Sequence, residues 1–91
     1  MSKSSDKELN IIAYRLREIR LRAGISQEKL GVLAGIDEFS ASARINQYER
    51  GKHVPDFKTL ERLAEVLNTP APYFYAKDEE LADLILEYAK R

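Results

Sequence analysis

The chain offers little that could carry out a reaction. It has no cysteine, which removes disulfides, thiolate metal sites and thiol redox chemistry. Its one histidine, His53, cannot build a metal cluster without carboxylates. A histidine pair, a glycine-rich phosphate loop and a carboxylate pair in apolar surroundings are all missing, so the sequence does not suit an enzyme. What stands out is recognition chemistry. In GIDEFSASARINQYERGK, residues 35 to 52, small polar side chains crowd the first half and Asn46 and Gln47 stand in the middle, each amide able to donate and accept at once. Only Ile45 and Tyr48 look like anchors, and the stretch runs into Arg50-Gly51-Lys52-His53. A helix with that exterior is built to be met from outside.

The rest of the chain must hold that helix in place. Ninety-one residues allow one domain with a modest core, because a chain this short buries only about 60 to 65% of its unfolded surface. Charge is balanced at 15 basic and 15 acidic residues, but the mean hides a segregation. Residues 9 to 58 hold nine basic side chains against six acidic, and residues 78 to 91 hold five acidic against two basic. No apolar run approaches the roughly 18 residues of a membrane span, and MSKSSDKELN lacks a signal-peptide core. The cytoplasm is the expected address.

The periodicity is helical throughout, with no strand alternation and no repeat, so the expected class is all-α. Residues 1–8 form a polar lead without pattern, expected to be disordered. Ile12, Leu16, Ile19 and Ala23 line one face of a first helix ending at Gly24. Ser26 caps a second helix over about 27–34, with Leu30, Leu33 and Ala34 inward and Gly35 beyond its end. A third helix carries Ala41, Ile45 and Tyr48 inward and stops at Gly51. Asp56 caps a fourth with Phe57, Leu60, Leu63, Ala64 and Leu67, ended by Asn68. A single turn can start at Pro72. Asp78 opens a last helix whose terminal charges complement its dipole, with Leu81, Leu84, Ile85 and Tyr88 in one stripe.

Two short helices joined across a glycine, the first opened by Ser-Gln and the second polar outside, are the ingredients of a helix-turn-helix. SQEKLGVLAG followed by INQYERGKHVPDFKTLERLAEVLN resembles the phage Cro and CI repressors and bacterial XRE-type regulators, whose pattern is SQ-x-x-LA-x-x-AG, then I-x-x-(I/W/Y)-E-(R/N)-G-x-x-x-P and L-x-x-(L/I)-A-x-x-L. Gln27, Gly35, Ile45, Glu49, Gly51, Pro55, Leu60 and Ala64 fall in order, and the resemblance covers residues 9 to 75. It implies a lambda-repressor-like five-helix bundle over 9–76, followed by an additional C-terminal helix over 77–91.

The resemblance also implies roles. The third helix would enter the major groove of double-stranded DNA, with Ser42, Ala43, Arg44, Asn46 and Gln47 as candidates to meet base edges. Gln47 leads, because an amide suits adenine by two bonds. Phosphate contacts would come from Ser26, Gln27 and Lys29 at the start of the second helix and from Arg50, Lys52 and His53 after the third. Arg20 and Glu49 occupy positions that pair in family members. The implied activity is sequence-specific transcriptional regulation, by repression at a two-fold operator bound as a homodimer. An antitoxin or a restriction-system controller would share the fold, and a protein-interaction module that has lost DNA binding is the reading from another class. No cofactor, metal, membrane or small-molecule ligand is implied, and the setting is bacterial or phage-derived, at the nucleoid.

One departure from the pattern is plain. Between Gly35 and the ERG signature stand thirteen residues, Ile36 to Tyr48, where the family has about nine. Four extra residues would add one helical turn in front of the third helix with Asp37 as cap, or lengthen the loop 36–40. Ser40 as a good cap, with Phe39 tucked beneath it, favours the loop. Of the aromatic run Tyr73-Phe74-Tyr75, the family puts Phe74 in the core and leaves Tyr73 and Tyr75 partly exposed. The stripe Leu81, Leu84, Ile85, Tyr88 lies mostly beyond the family's minimal bundle and leans to a dimer contact.

Overall fold

The computed structural model of the protein describes residues 10–91; the expected disordered lead, 1–8, lies outside the described residues. Five α-helices and one 3-10 helix follow in order: α1 Ile11–Ala23, α2 Gln27–Leu33, α3 Glu38–Glu49, α4 Phe57–Val66, the 3-10 helix Ala71–Tyr75 and α5 Glu79–Ala89. The described residues contain no strand.

Capping sets where these helices begin. Ser26 accepts from the Lys29 backbone N–H at 3.0 Å, Asp56 from Thr59 at 2.8 Å and Asp78 from Leu81 at 3.1 Å, each satisfying a first-turn donor that has no intrahelical partner. The Thr59 backbone N–H, then the Thr59 side chain, hold the Asp56 carboxyl below its usual range. Three helices end in one double-bonded turn, in which the residue after the cap takes a positive φ. After α2, Gly35 N–H donates to the Val32 carbonyl and Ile36 N–H to that of Gly31. After α3, Gly51 donates to Tyr48 and Lys52 to Gln47, and after α4, Asn68 donates to Glu65 and Thr69 to Ala64. Gly51 has φ +75, a region that costs a side chain strain, and among the described residues Asn68 is the one non-glycine residue that accepts it, at φ 53.

The core is drawn from every element. Leu16 and Ile19 of α1, Leu30 and Ala34 of α2, Ile45 and Tyr48 of α3, Leu60, Leu63 and Ala64 of α4, Tyr73 and Phe74, and Ala82 of α5 form one buried cluster. Three expected inward positions and one expected outward one differ. Ala23 is exposed, and α1 ends its inner face on Arg20 instead. Leu33 and Phe57 are exposed because each is at an end of a short helix where the face turns away from the core. Tyr73, expected partly exposed, is 1% exposed and packs edge-on to Phe74. Burial raises its phenol above the ordinary range, opposed by the charge of nearby Arg15. Tyr75 is exposed.

The favoured loop at 36–40 is not formed. The four extra residues make the first turn of α3, with Asp37 as cap accepting from the Phe39 N–H at 3.0 Å and its carbonyl accepting from Ser40 N–H. Phe39 does not tuck under the helix; it is 96% exposed. Gly31 of α2 stands where the family pattern has alanine. A Cβ at Gly31 would stand 2.7 Å from the Cβ of Ala41, closer than two methyl groups can approach, so α2 and α3 cross tightly where Ala41 is buried.

Candidate nucleic-acid interface

The outward face of α3 is built from the inside out. Ala41, Ile45 and Tyr48 recur at steps of four and three and bury one side of α3, which leaves the opposite side outward. Ser42, Ala43 and Arg44 are exposed, and Asn46 and Gln47 are half-buried. The structure thus brings all five candidates for base contact to the uncovered part of one helix.

A buried polar network fixes that helix. Arg20 of α1 forks onto Glu49 at the end of α3: Nε donates to Oε2, and Nη2 to Oε1 at 3.1 Å. Nη1 donates to the Ile25 carbonyl at 2.9 Å, which holds the α1–α2 connection to the same guanidinium. Gln27 completes the set, its Nε2 donating to Glu49 Oε1 at 3.0 Å and to Asn46 Oδ1 at 3.3 Å. Both ions are nine-tenths buried, so the attraction is poorly screened and bidentate geometry compensates their desolvation. The first helix, the turn and the outward helix are locked as one unit.

Gln27 turns its side chain toward this network. Its amide N–H donors are engaged inward on Asn46 and Glu49, so the side chain orients α3 rather than projecting a donor outward. Ser26 is occupied as the cap of α2, and Lys29 is exposed one turn on. At the other end of α3, the turn 50–53 folds back on the helix through Lys52 N–H to Gln47 O, at 2.9 Å, and His53 N–H to the same oxygen, at 3.4 Å. Arg50, Lys52 and His53 are exposed there. Cationic side chains thus stand at both flanks of the outward face.

Two residues were missed by sequence reasoning. Arg15 entered only the count of basic residues, yet it is 2% exposed, donates to the Ala76 carbonyl at 2.8 Å and to Glu79 at 3.1 Å, and lies 5.5 Å from the Tyr73 ring centroid. The available signal was its place midway between Ile11 and Ile19, one helical turn from each, on the inner face. Phe39 was missed as a surface feature because the loop was preferred. The stripe on α5 divides: Ile85 packs on the core with Ala82 and Leu86, while Leu81, Leu84 and Tyr88 are exposed.

Comparison with known proteins agrees with this arrangement. The Helix-turn-helix family profile matches residues 16–74. The chain belongs to the XRE-type helix-turn-helix family. An uncharacterized HTH-type transcriptional regulator of Sinorhizobium medicae is 33% identical over 64 residues, 70% of this chain and 43% of that protein. One of Rhizobium meliloti has the same identity and coverage. The chain thus spans less than half the length of these curated relatives. The crystal structure of the transcriptional regulator BswR superposes with a TM-score of 0.82 at 53% identity, covering 87% of this chain and 78% of that one.

Proposed function

We propose that this XRE-type protein is a sequence-specific DNA-binding transcriptional regulator, a repressor that works at the nucleoid in the cytoplasm and binds a two-fold operator as a homodimer. The observation that carries the reading is the exposed outer side of α3, with Ser42, Ala43, Arg44, Asn46 and Gln47, held rigid by the Arg20–Glu49–Gln27 network and flanked by cations. α3 lies in the major groove, where a helix fits and where side-chain amides discriminate base pairs. Ser26, Gln27 and Lys29 on one flank and Arg50, Lys52 and His53 on the other meet phosphates, which set register without reading sequence. For Gln27 the backbone is the contacting part, since its side-chain donors face inward.

Dimerisation is supported by α5, whose Leu81, Leu84 and Tyr88 remain exposed after Ala82 and Ile85 have joined the core. Neighbouring half-sites are then about 34 Å apart, one turn of DNA. Selection of bound sequences from random duplex DNA tests the reading. A two-fold motif is the expected product, and a protected footprint over it is the expected confirmation. Enrichment of no sequence contradicts DNA reading and favours the protein-interaction module, for which the zero net charge and the acidic α5 speak.

A further inference from the structure

The turn that lengthens α3 carries a side chain that the fold does not use. Phe39 is 96% exposed, the most exposed large apolar residue among the described residues, and it sits in the first turn of the helix. At 100° per residue, Phe39, Ser42, Ala43, Asn46 and Arg50 fall on one side of α3, at steps of three, one, three and four. Ala41 and Ile45, on the other side, are fully buried, which settles the orientation of the stripe as outward. A solvated phenyl does nothing for stability, and here it continues the line of the base-contact candidates toward the helix N-terminus.

That placement has one chemical match in a major groove. Base edges there present donors, acceptors and a single apolar group, the thymine C5-methyl, which phenylalanine contacts favourably. Wedges that unstack bases work from the minor groove, where α3 is not placed. Residues at the N-terminal end of a recognition helix are those that approach base edges. We propose that Phe39 is a specificity residue that reads a thymine methyl; the proposal rests on α3 being the DNA-reading helix. Phe39 and Asn46 are seven positions apart, about 10 Å along the axis, so the thymine lies about three base pairs from the pair met by Asn46. The added turn thereby widens each half-site beyond what the shorter helix of the family pattern would span.

The test uses the full chain and the sequence it selects from random DNA. Each thymine of the selected site is replaced in turn by deoxyuridine, which removes only the methyl. At one position per half-site the wild type is expected to lose roughly fourfold in affinity per methyl, the factor for burying one such group. Phe39→Ala, which retains the wild-type melting temperature because the side chain packs on nothing, is expected to bind the thymine site more weakly and to show no further loss with deoxyuridine. Deoxyuridine effects that are the same for both proteins at every position overturn the proposal. So does an unchanged motif and affinity in Phe39→Ala. If Gln47→Ala loosens the motif while Phe39→Ala does not, DNA reading by α3 stands and the role of Phe39 alone falls; if the wild type enriches nothing, both fall.

Discussion

Glu49→Ala is expected to lower unfolding stability by about 3 to 5 kcal/mol, because it leaves the Arg20 guanidinium buried without its counter-ion. Folded chains of this size have on the order of 5 to 10 kcal/mol in total, so the variant should sit close to its unfolding midpoint in mild urea. The loss extends beyond one ion pair. Glu49 also accepts from Gln27, whose second bond reaches Asn46, so the network joins α1, α2 and α3 at a single carboxylate. Replacing both ions by apolar residues of similar size, Arg20→Met with Glu49→Leu, should recover most of the stability, since no charge is then left buried and unpaired. Urea unfolding of the three variants checks this. A Glu49→Ala variant within about 0.5 kcal/mol of wild type would show the pair to be solvated, as for surface ion pairs.

Arg15→Ala should cost about 2 to 4 kcal/mol. The buried Ala76 carbonyl loses its donor, Glu79 loses its partner on α1, and the Tyr73 ring loses the guanidinium packed 5.5 Å from its centre. Arg15→Lys is expected to be nearly as damaging, because a point-like ammonium cannot reach the carbonyls of Ala76 and Lys77 and the Glu79 carboxylate together. The effect should be local as well as global. Arg15 ties α1 to the segment that starts α5, so backbone amides of α5 should exchange with solvent much faster in the variant than those of α2 and α3. Hydrogen exchange that accelerates equally in all helices would mean that Arg15 does not anchor α5.

What could be read in the residues divides by physical cause. Helix starts were legible at Ser26, Asp56 and Asp78, because a capping side chain acts on a backbone N–H two or three residues away and leaves its mark locally. Helix ends were legible at Gly24, Gly35 and Gly51 for the same reason. The Arg20–Glu49 pair spans 29 residues, and no local pattern joins them; only the resemblance to a known family pointed there. The start of α3 was ambiguous because Asp37 and Ser40 are both good caps. In the structure Asp37 takes the cap, its carboxylate accepting from the Phe39 N–H, and Ser40 lies inside the first turn. Leu33 and Phe57 illustrate a different limit. Apolar residues at helical spacing are not obliged to be buried, since much of a small protein's surface is apolar in any case.

The central claim is that α3 reads base edges while the turn after it holds phosphates. It is tested most directly by titrating the selected duplex, and single-base variants of it, with wild type, Gln47→Ala and Lys52→Ala over a range of salt. The account predicts that Gln47→Ala relaxes the preference at one base pair by about 1 to 3 kcal/mol and leaves the salt slope alone. Lys52→Ala should weaken every sequence alike and flatten the slope of log affinity against log salt by about one unit. Unchanged preference in Gln47→Ala together with an unchanged salt slope in Lys52→Ala would contradict it.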